Sequence, residues 1–247
     1  MKQKSKRIEI NAKGDSAEIL IYDDIGEGWY GGLSAKAFAE DLKTHGKLKK
    51  ITVRISSGGG DVFEGIAIYN SLVNHPAKVF VKVDGLAASI ASIIAMAGDE
   101  IEMSENAFFM VHEPWSISAG SSDDFRTQAD LMDKIKDTML DTYVSRSSIS
   151  LEEIADMVAA ETWLTASEAL EAGLITTITE ANKMAASTAD LSKFKNAPEA
   201  LLNKKIVQLK TEEPGKIPAE PENIEVDPDP LGLRVFHNRE NLGSFFK

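Results

Sequence analysis

Apolar residues recur along the chain with a period of two in some segments and with helical spacing in others. Alternating runs predict strands over residues 17–22, 51–57, 78–84, 100–103 and 108–111. Helical spacing predicts helices over residues 34–44, 62–73, 121–145, 151–159 and 166–172, with Ser34 as the N-cap of the first. Residues 88–97 are too apolar for a surface position and predict a buried helix. Because strands and helices alternate, the pattern predicts an α/β fold built on a mostly parallel sheet.

The pattern changes near residue 180. One folded domain is predicted over residues 17–180, after a flexible N-terminal segment 1–16, and residues 181–210 are predicted to be marginally helical. Between Thr211 and Pro230 lie five of the eight prolines, and seven acids stand against one lysine. Such a composition cannot bury enough apolar area to offset the entropy of ordering the segment. Residues 211–247 are therefore predicted to be a disordered Pro- and acid-rich linker with a short tail.

Composition excludes several functional classes. The net charge of −12 argues against binding to a nucleic-acid backbone or to an anionic membrane surface. The chain has no cysteine, which rules out a disulfide scaffold, a thiolate zinc site and a cysteine nucleophile. The longest run without charge, residues 85–98, is shorter than the roughly 20 residues that cross a bilayer. We therefore expect a soluble cytoplasmic protein with neither a nucleic-acid nor a membrane partner.

A triple glycine follows one of the predicted strands, in the run SSGGGD over residues 56–61. Glycine permits positive φ and close approach of a ligand to backbone N–H groups. One interpretation is a phosphate cradle, although the lysine and hydroxyl of a P-loop are missing. Another is an oxyanion hole, and a simple turn is the third. The glycines alone do not decide among them.

Ser89 lies in the small-residue run GLAAS, at the start of the predicted buried helix. Small neighbours allow a substrate backbone to approach the hydroxyl, and the N-terminus of a helix favours negative charge. A serine hydroxyl needs a base to act as a nucleophile. Of the four histidines, His112 ends an apolar strand (FFMVHEP), whereas His45 and His75 lie in loop contexts and His237 lies beyond the linker. Ser89 and His112 are therefore the candidate nucleophile and base, although each taken alone is more often structural.

In combination these elements resemble the Clp protease proteolytic subunit, over roughly residues 17–180. The resemblance rests on four segments in the family's order: SSGGG (56–60), GLAAS (85–89), MVHEP (110–114) and ETWLTASEALEAGLI (161–175). It implies a ClpP/crotonase-like spiral fold and serine endopeptidase activity without a cofactor. It also implies a homo-oligomeric ring that acts on protein or peptide substrates.

The resemblance assigns roles residue by residue. Ser89 is the nucleophile and His112 is the general base, in the logic of a Ser-His-acid triad. Gly60 and Ile90 supply the N–H groups of the oxyanion hole. The third triad position falls on Glu161, where the family usually has Asp.

Three further positions follow from the same elements. Gly58, Gly59 and Pro114 are expected to line the substrate site, and Gly58 stands where the family often has proline. For the third triad role, Thr162 and Asp156 are alternatives to the glutamate, and the serine–histidine dyad acting alone is another.

The elements ETWLTA and SSGGGDVFEG, together with the C-terminal extension, look most like phage-encoded relatives that process capsid proteins during head maturation. The nearest alternative is a housekeeping peptidase ring that depends on an unfoldase ATPase. Two others are a Ser–Lys peptidase with Lys134 or Lys136 as base and a crotonase-like acyl-CoA enzyme. The last alternative is a non-catalytic capsid scaffold protein with a degenerate active site.

Overall fold

The computed structural model describes residues 10–26, 32–181 and 190–202, all of which belong to the first of two compact units, Met1–Ile206. Within these ranges the chain forms, in order, β1 (Ile10–Lys13), β2 (Ser16–Ile21), α1 (Ala35–Thr44), β3 (Lys50–Ser57), α2 (Val62–Val73), β4 (Lys78–Ala88), α3 (Ile90–Ala95), β5 (Glu100–Ser104), β6 (Phe108–Val111), α4 (Ser122–Val144), α5 (Leu151–Ala159), β7 (Thr162–Thr165), α6 (Ala166–Glu171), β8 (Thr177–Thr179) and α7 (Glu199–Leu202). The predicted linker and tail, residues 211–247, lie outside the described residues.

The strands form one sheet with the order β1-β2-β3-β4-β5-β8, and β6 pairs with both β4 and β7. All pairings are parallel except β1 with β2 and β6 with β7. The prediction of an α/β fold on a mostly parallel sheet is therefore confirmed.

Strand β4 has two partners along its length, and this division positions the site. Its first part pairs with β5 over Phe80–Val83, and its last part pairs with β6 over Leu86–Ala88. The sequence predicted that this strand ends before Gly85, but the pairing with β6 carries it on to Ala88. The buried helix accordingly begins at Ile90, two residues later than predicted.

One other expectation for the N-terminal part was wrong. Ile10–Lys13, within the segment predicted to be flexible, form an edge strand because they pair in antiparallel register with β2. Ser34 occupies the N-cap of α1, as predicted, but its side chain makes no capping hydrogen bond. The Glu64 carboxylate instead accepts a hydrogen bond from the Ala35 N–H at 2.5 Å. The residues of 181–210 that are described contain only the short helix α7.

Helix α3 is the most deeply buried helix among the described residues, and every one of its side chains is buried. It packs against α2, where Gly65 has no room for a side chain: a Cβ there would lie 2.1 Å from Ile90 Cγ1. This close contact fixes the start of α3 against the core. No helix among the described residues is long and apolar enough to cross a membrane.

Candidate active site

Ser89 stands between the end of β4 and the start of α3, as the N-cap residue of that helix. Its backbone has φ 57° and ψ −132°, which a non-glycine residue adopts only at a cost of about 1–3 kcal/mol. Among the described residues, Glu161 is the only other non-glycine residue with positive φ. A strained serine at a strand-to-helix turn is the geometry that exposes a nucleophilic hydroxyl.

Hydrogen bonds from the core hold this turn. The Ser89 N–H donates to the Met110 carbonyl at 3.1 Å, and the Ser89 carbonyl accepts from both the N–H and the hydroxyl of Ser92. The Ser92 hydroxyl also lies 2.6 Å from the hydroxyl of Tyr143, a side chain with no exposed surface. Burial raises the pKa of Tyr143, so that the phenol stays neutral and can donate. A buried hydrogen-bond chain therefore links the backbone of Ser89 through Ser92 to Tyr143 of α4.

His112 follows β6 directly and reaches the serine from the neighbouring strand. Because Ala88 pairs with Met110 in parallel register, the ends of β4 and β6 lie at the same edge of the sheet. The Nε2 atom of His112 lies 2.8 Å from the Ser89 Oγ. This distance is within the reach required of a general base.

His112 is only 7% exposed, and the environment of its imidazole favours the neutral form. Burial is the largest cause that lowers the pKa of His112, and the Lys193 charge lowers it further. The Glu161 and Glu113 charges raise this pKa without reversing the shift. A neutral imidazole at neutral pH can accept the serine proton.

The glycine turn lies against the nucleophile. Gly59 has φ 87°, and a Cβ at that position would lie 2.6 Å from the Ser89 Cβ. The Gly59 N–H donates to the Ser57 hydroxyl at 3.2 Å, and its carbonyl accepts from the Ile25 N–H at 2.9 Å. These bonds fix the turn and hold Gly59 directly against the serine.

The two predicted oxyanion donors are available for hydrogen bonding. Gly60 is exposed, and within the described residues its N–H has no hydrogen-bond acceptor. Ile90 is the first residue of α3, so its N–H has no acceptor within the helix. Gly58 is buried in the same turn, and Pro114 is half-buried two residues after His112. The roles of all four in binding substrate stay predictions.

Glu161, the predicted third triad residue, points its carboxylate elsewhere. The carboxylate accepts hydrogen bonds from the N–H groups of Lys195 at 3.1 Å and Asn196 at 2.7 Å. It also accepts a weak bond from the Trp163 indole at 3.4 Å. Among the described residues it makes no hydrogen bond to His112, although its charge acts on that imidazole.

The alternatives for the third role are no better placed. The Thr162 hydroxyl donates to the Met157 carbonyl at 2.7 Å, and Asp156 is exposed on α5. The lysine alternative to the histidine base is also not supported by position: Lys136 pairs with Glu113 and Asp133, and Lys134 is exposed. The described arrangement is therefore a serine–histidine dyad.

Sequence reasoning missed several residues that act on the site. Ser92 and Tyr143 support the turn at Ser89. Phe194 makes a T-shaped contact with the His112 ring, with centroids 5.4 Å apart. A signal existed for Ser92, which is a polar residue three positions after Ser89 in an otherwise apolar helix. None existed for Phe194, because only the fold brings it to His112.

An α/β sheet with a hydrogen-bonded serine and histidine at one edge defines the class of a serine hydrolase. Comparison with known families matches residues 9–182 to the family described as Clp protease. The chain therefore belongs to the Clp protease family. This membership indicates a serine peptidase.

Curated relatives agree with the family match. The chain is 30% identical over 165 residues to the ATP-dependent Clp protease proteolytic subunit 1 of Protochlamydia amoebophila, covering 65% of this chain and 79% of that protein. It is also 30% identical over 129 residues to the ATP-dependent Clp protease proteolytic subunits of Deinococcus radiodurans and Bacteroides fragilis. These two matches cover 51% of this chain and 63% and 62% of the relatives, just under two thirds of their length.

Proposed function

We propose that this chain is a serine endopeptidase that cleaves protein substrates through an acyl-enzyme, with Ser89 as nucleophile and His112 as general base. The observation that carries the proposal is the 2.8 Å contact between His112 Nε2 and Ser89 Oγ at the edge of the sheet. The strained backbone of the serine and the lowered pKa of His112 support it.

The reaction follows from the roles of these groups. His112 Nε2 takes the hydroxyl proton as Ser89 Oγ attacks the scissile carbonyl. The carbonyl oxygen becomes negative and accepts hydrogen bonds from the N–H groups of Gly60 and Ile90. The imidazolium then returns its proton to the leaving amine, and the C–N bond breaks. Water hydrolyses the resulting ester with the same histidine as base.

For the biological substrate we propose capsid or scaffold protein during phage head maturation. Support comes from the resemblance of the ETWLTA and SSGGGDVFEG elements and of the C-terminal extension to such enzymes. The second candidate is a peptidase ring that works with an unfoldase ATPase in the cytoplasm, and the names of the curated relatives favour it. In either case we expect a homo-oligomeric ring, which native mass spectrometry would measure directly.

The test compares two substrates under two conditions. The purified chain is incubated with an unstructured protein and with a folded one, each with and without a Clp-type ATPase and ATP. Head maturation predicts cleavage that does not depend on the ATPase, and the ring alternative predicts cleavage of the folded protein only when the ATPase is present. The Ser89→Ala variant serves as the blank. Equal cleavage by wild type and Ser89→Ala would contradict the peptidase assignment.

A further inference from the structure

Residues 190–202, which we call the strap, lie beyond the family match of residues 9–182 and pack beside the active site. Leu191 and Phe194 are each only 6% exposed. They form a separate apolar cluster with Leu86, Ala88 and Met110. Ala87 belongs to the main core instead, so the strap covers the opposite face of the β4–β6 pair from the main core.

The strap reaches the histidine through an aromatic contact. The rings of Phe194 and His112 meet at an interplanar angle of 85° with centroids 5.4 Å apart. Phe194 also packs edge-to-face with Trp163, with centroids 5.6 Å apart. The strap thus packs a phenyl ring against the general base and contributes to its burial.

The strap also binds the predicted triad acid. Two consecutive backbone N–H groups, those of Lys195 and Asn196, donate to the Glu161 carboxylate. The Asn196 side-chain amide donates to the Ala160 carbonyl at 2.8 Å and to the Glu161 carbonyl at 3.4 Å. Hydrogen bonds to an ionised carboxylate are stronger than those between neutral groups. They hold the acid in an arrangement that leaves it without a hydrogen bond to His112.

We propose that the strap is an autoinhibitory element, which holds Glu161 away from His112 and covers the histidine, so that its release completes the triad. This inference rests on the proposed peptidase function. The described state is then a resting dyad, with Nε2 of His112 engaged by Ser89 and Nδ1 left without the acid that would orient it. The strap is peripheral and its donors are exposed, so it can open locally while the core stays folded.

Release of the strap changes the electrostatics of His112 in a defined direction. The charged groups that act on it are Glu161, Lys193 and Glu113. Opening removes burial and the Lys193 charge, both of which lower the pKa of His112, and brings the Glu161 carboxylate closer, which raises this pKa. All three changes raise the pKa of His112. A strap that served only to stabilise the fold would not slow the reaction of Ser89, so loosening it would not raise the rate.

The experiment measures the rate at which a fluorophosphonate labels Ser89 in the full-length chain, as a function of pH. Asn196→Ala removes the side-chain anchor, and Phe194→Ala removes the ring against His112. We expect either substitution to raise the labelling rate about five- to tenfold, since each weakens the closed state by roughly the contribution of one interaction. We also expect the acid limb of the rate profile to move to higher pH.

Matched controls remove similar groups far from the site. Asn74→Ala deletes an amide that donates to the Asn70 carbonyl at 2.8 Å at the end of α2. Phe80→Ala deletes a phenyl near the beginning of β4, beside Lys50 and Lys78. Neither should change the labelling rate. If Phe194→Ala fails to fold, Asn196→Ala decides alone, because Asn196 is exposed.

A second arm adds the strap in trans. A synthetic peptide of residues 190–202 should slow labelling of Asn196→Ala, and the same peptide with alanine in place of Phe194 should not. Labelling at the wild-type rate or slower in a folded Asn196→Ala variant would overturn the autoinhibitory assignment. Absence of any Ser89 adduct in wild type and in every variant would instead contradict the peptidase function itself, so the two failures are distinguishable.

Discussion

The two sides of the candidate active site are held by different parts of the molecule. On the nucleophile side, Ser89 and His112 directly follow two neighbouring strands, and buried residues of α3 and α4 support the turn at Ser89. On the acid side, Glu161 is held by backbone N–H groups of the peripheral strap. Folding of the core therefore assembles the dyad, whereas the position of the acid depends on a segment that lies beyond the residues matched to the family, 9–182.

Backbone strain follows the same division. Both Ser89 and Glu161 have positive φ, at 57° and 52°. Strain at the serine is offset by its hydrogen bonds with Met110 and Ser92 inside the core. Strain at the glutamate is offset by hydrogen bonds from Lys195 and Asn196, which lie 34 and 35 positions further along the chain. We expect the first to be rigid and the second to be adjustable.

The largest effect is expected from removal of the nucleophile. Ser89→Ala should lower the rate of peptide-bond cleavage by a factor on the order of 10³ to 10⁶, since no other group can form the acyl-enzyme. Ser71→Ala, which removes an exposed hydroxyl from α2, is the matched control and should cleave normally. Circular dichroism should show both variants folded. Cleavage by Ser89→Ala at the wild-type rate would refute the mechanism.

Removal of the base should have a comparable effect and separates the histidine from the lysine mechanism. His112→Ala should reduce cleavage by a factor on the order of 10³ or more. Lys136→Ala should leave it within about twofold, because this lysine forms exposed ion pairs with Glu113 and Asp133. Steady-state kinetics on a peptide substrate measures both. The reverse order of effects would favour a Ser–Lys dyad.

A smaller loss is expected when the glycine turn is pushed into the nucleophile. Gly59→Ala puts a methyl group 2.6 Å from the Ser89 Cβ and should reduce kcat/KM roughly 10²-fold by displacing the serine. Gly46→Ala controls for backbone strain, since Gly46 also has positive φ (71°) but open space around its Cβ position. That variant should lose stability and keep its activity. Equal kinetics for the two variants would show that the contact with Ser89 does not matter.

The smallest effect is expected at the support beneath the turn. Tyr143→Phe removes the hydrogen bond to Ser92 and should lower the free energy of unfolding by about 1 kcal/mol, with a few-fold loss in kcat. Tyr22→Phe is the matched control. It removes a 2.6 Å hydrogen bond from the Tyr22 hydroxyl to Asp84, which does not involve the serine turn, and should lower only the free energy of unfolding. Chemical denaturation and kinetics on both variants provide the comparison. A loss of kcat in Tyr22→Phe alone would contradict this role of Tyr143.

The sequence was informative about the core side of the site and uninformative about the acid side. The positions of Ser89 and His112 at element ends could be predicted because hydrophobic periodicity locates β4, α3 and β6 to within a few residues. The continuation of β4 to Ala88 could not, because it comes from pairing with residues of β6 that lie 22 positions further along the chain. The hydrogen bonds of Glu161 could not either, since backbone N–H groups carry no signature in the sequence. Resemblance to a family assigned Glu161 its role, but only the fold brought the strap to it.

The most direct test of the account is the pH profile of fluorophosphonate labelling, with the adduct located by peptide mapping. The proposed dyad predicts a single adduct on Ser89. It also predicts an acid limb below the ordinary histidine value of about 6.5, because burial lowers the pKa of His112 and keeps the base neutral to lower pH. An adduct on another residue, no adduct at all, or an acid limb well above that value would contradict the assignment of the dyad.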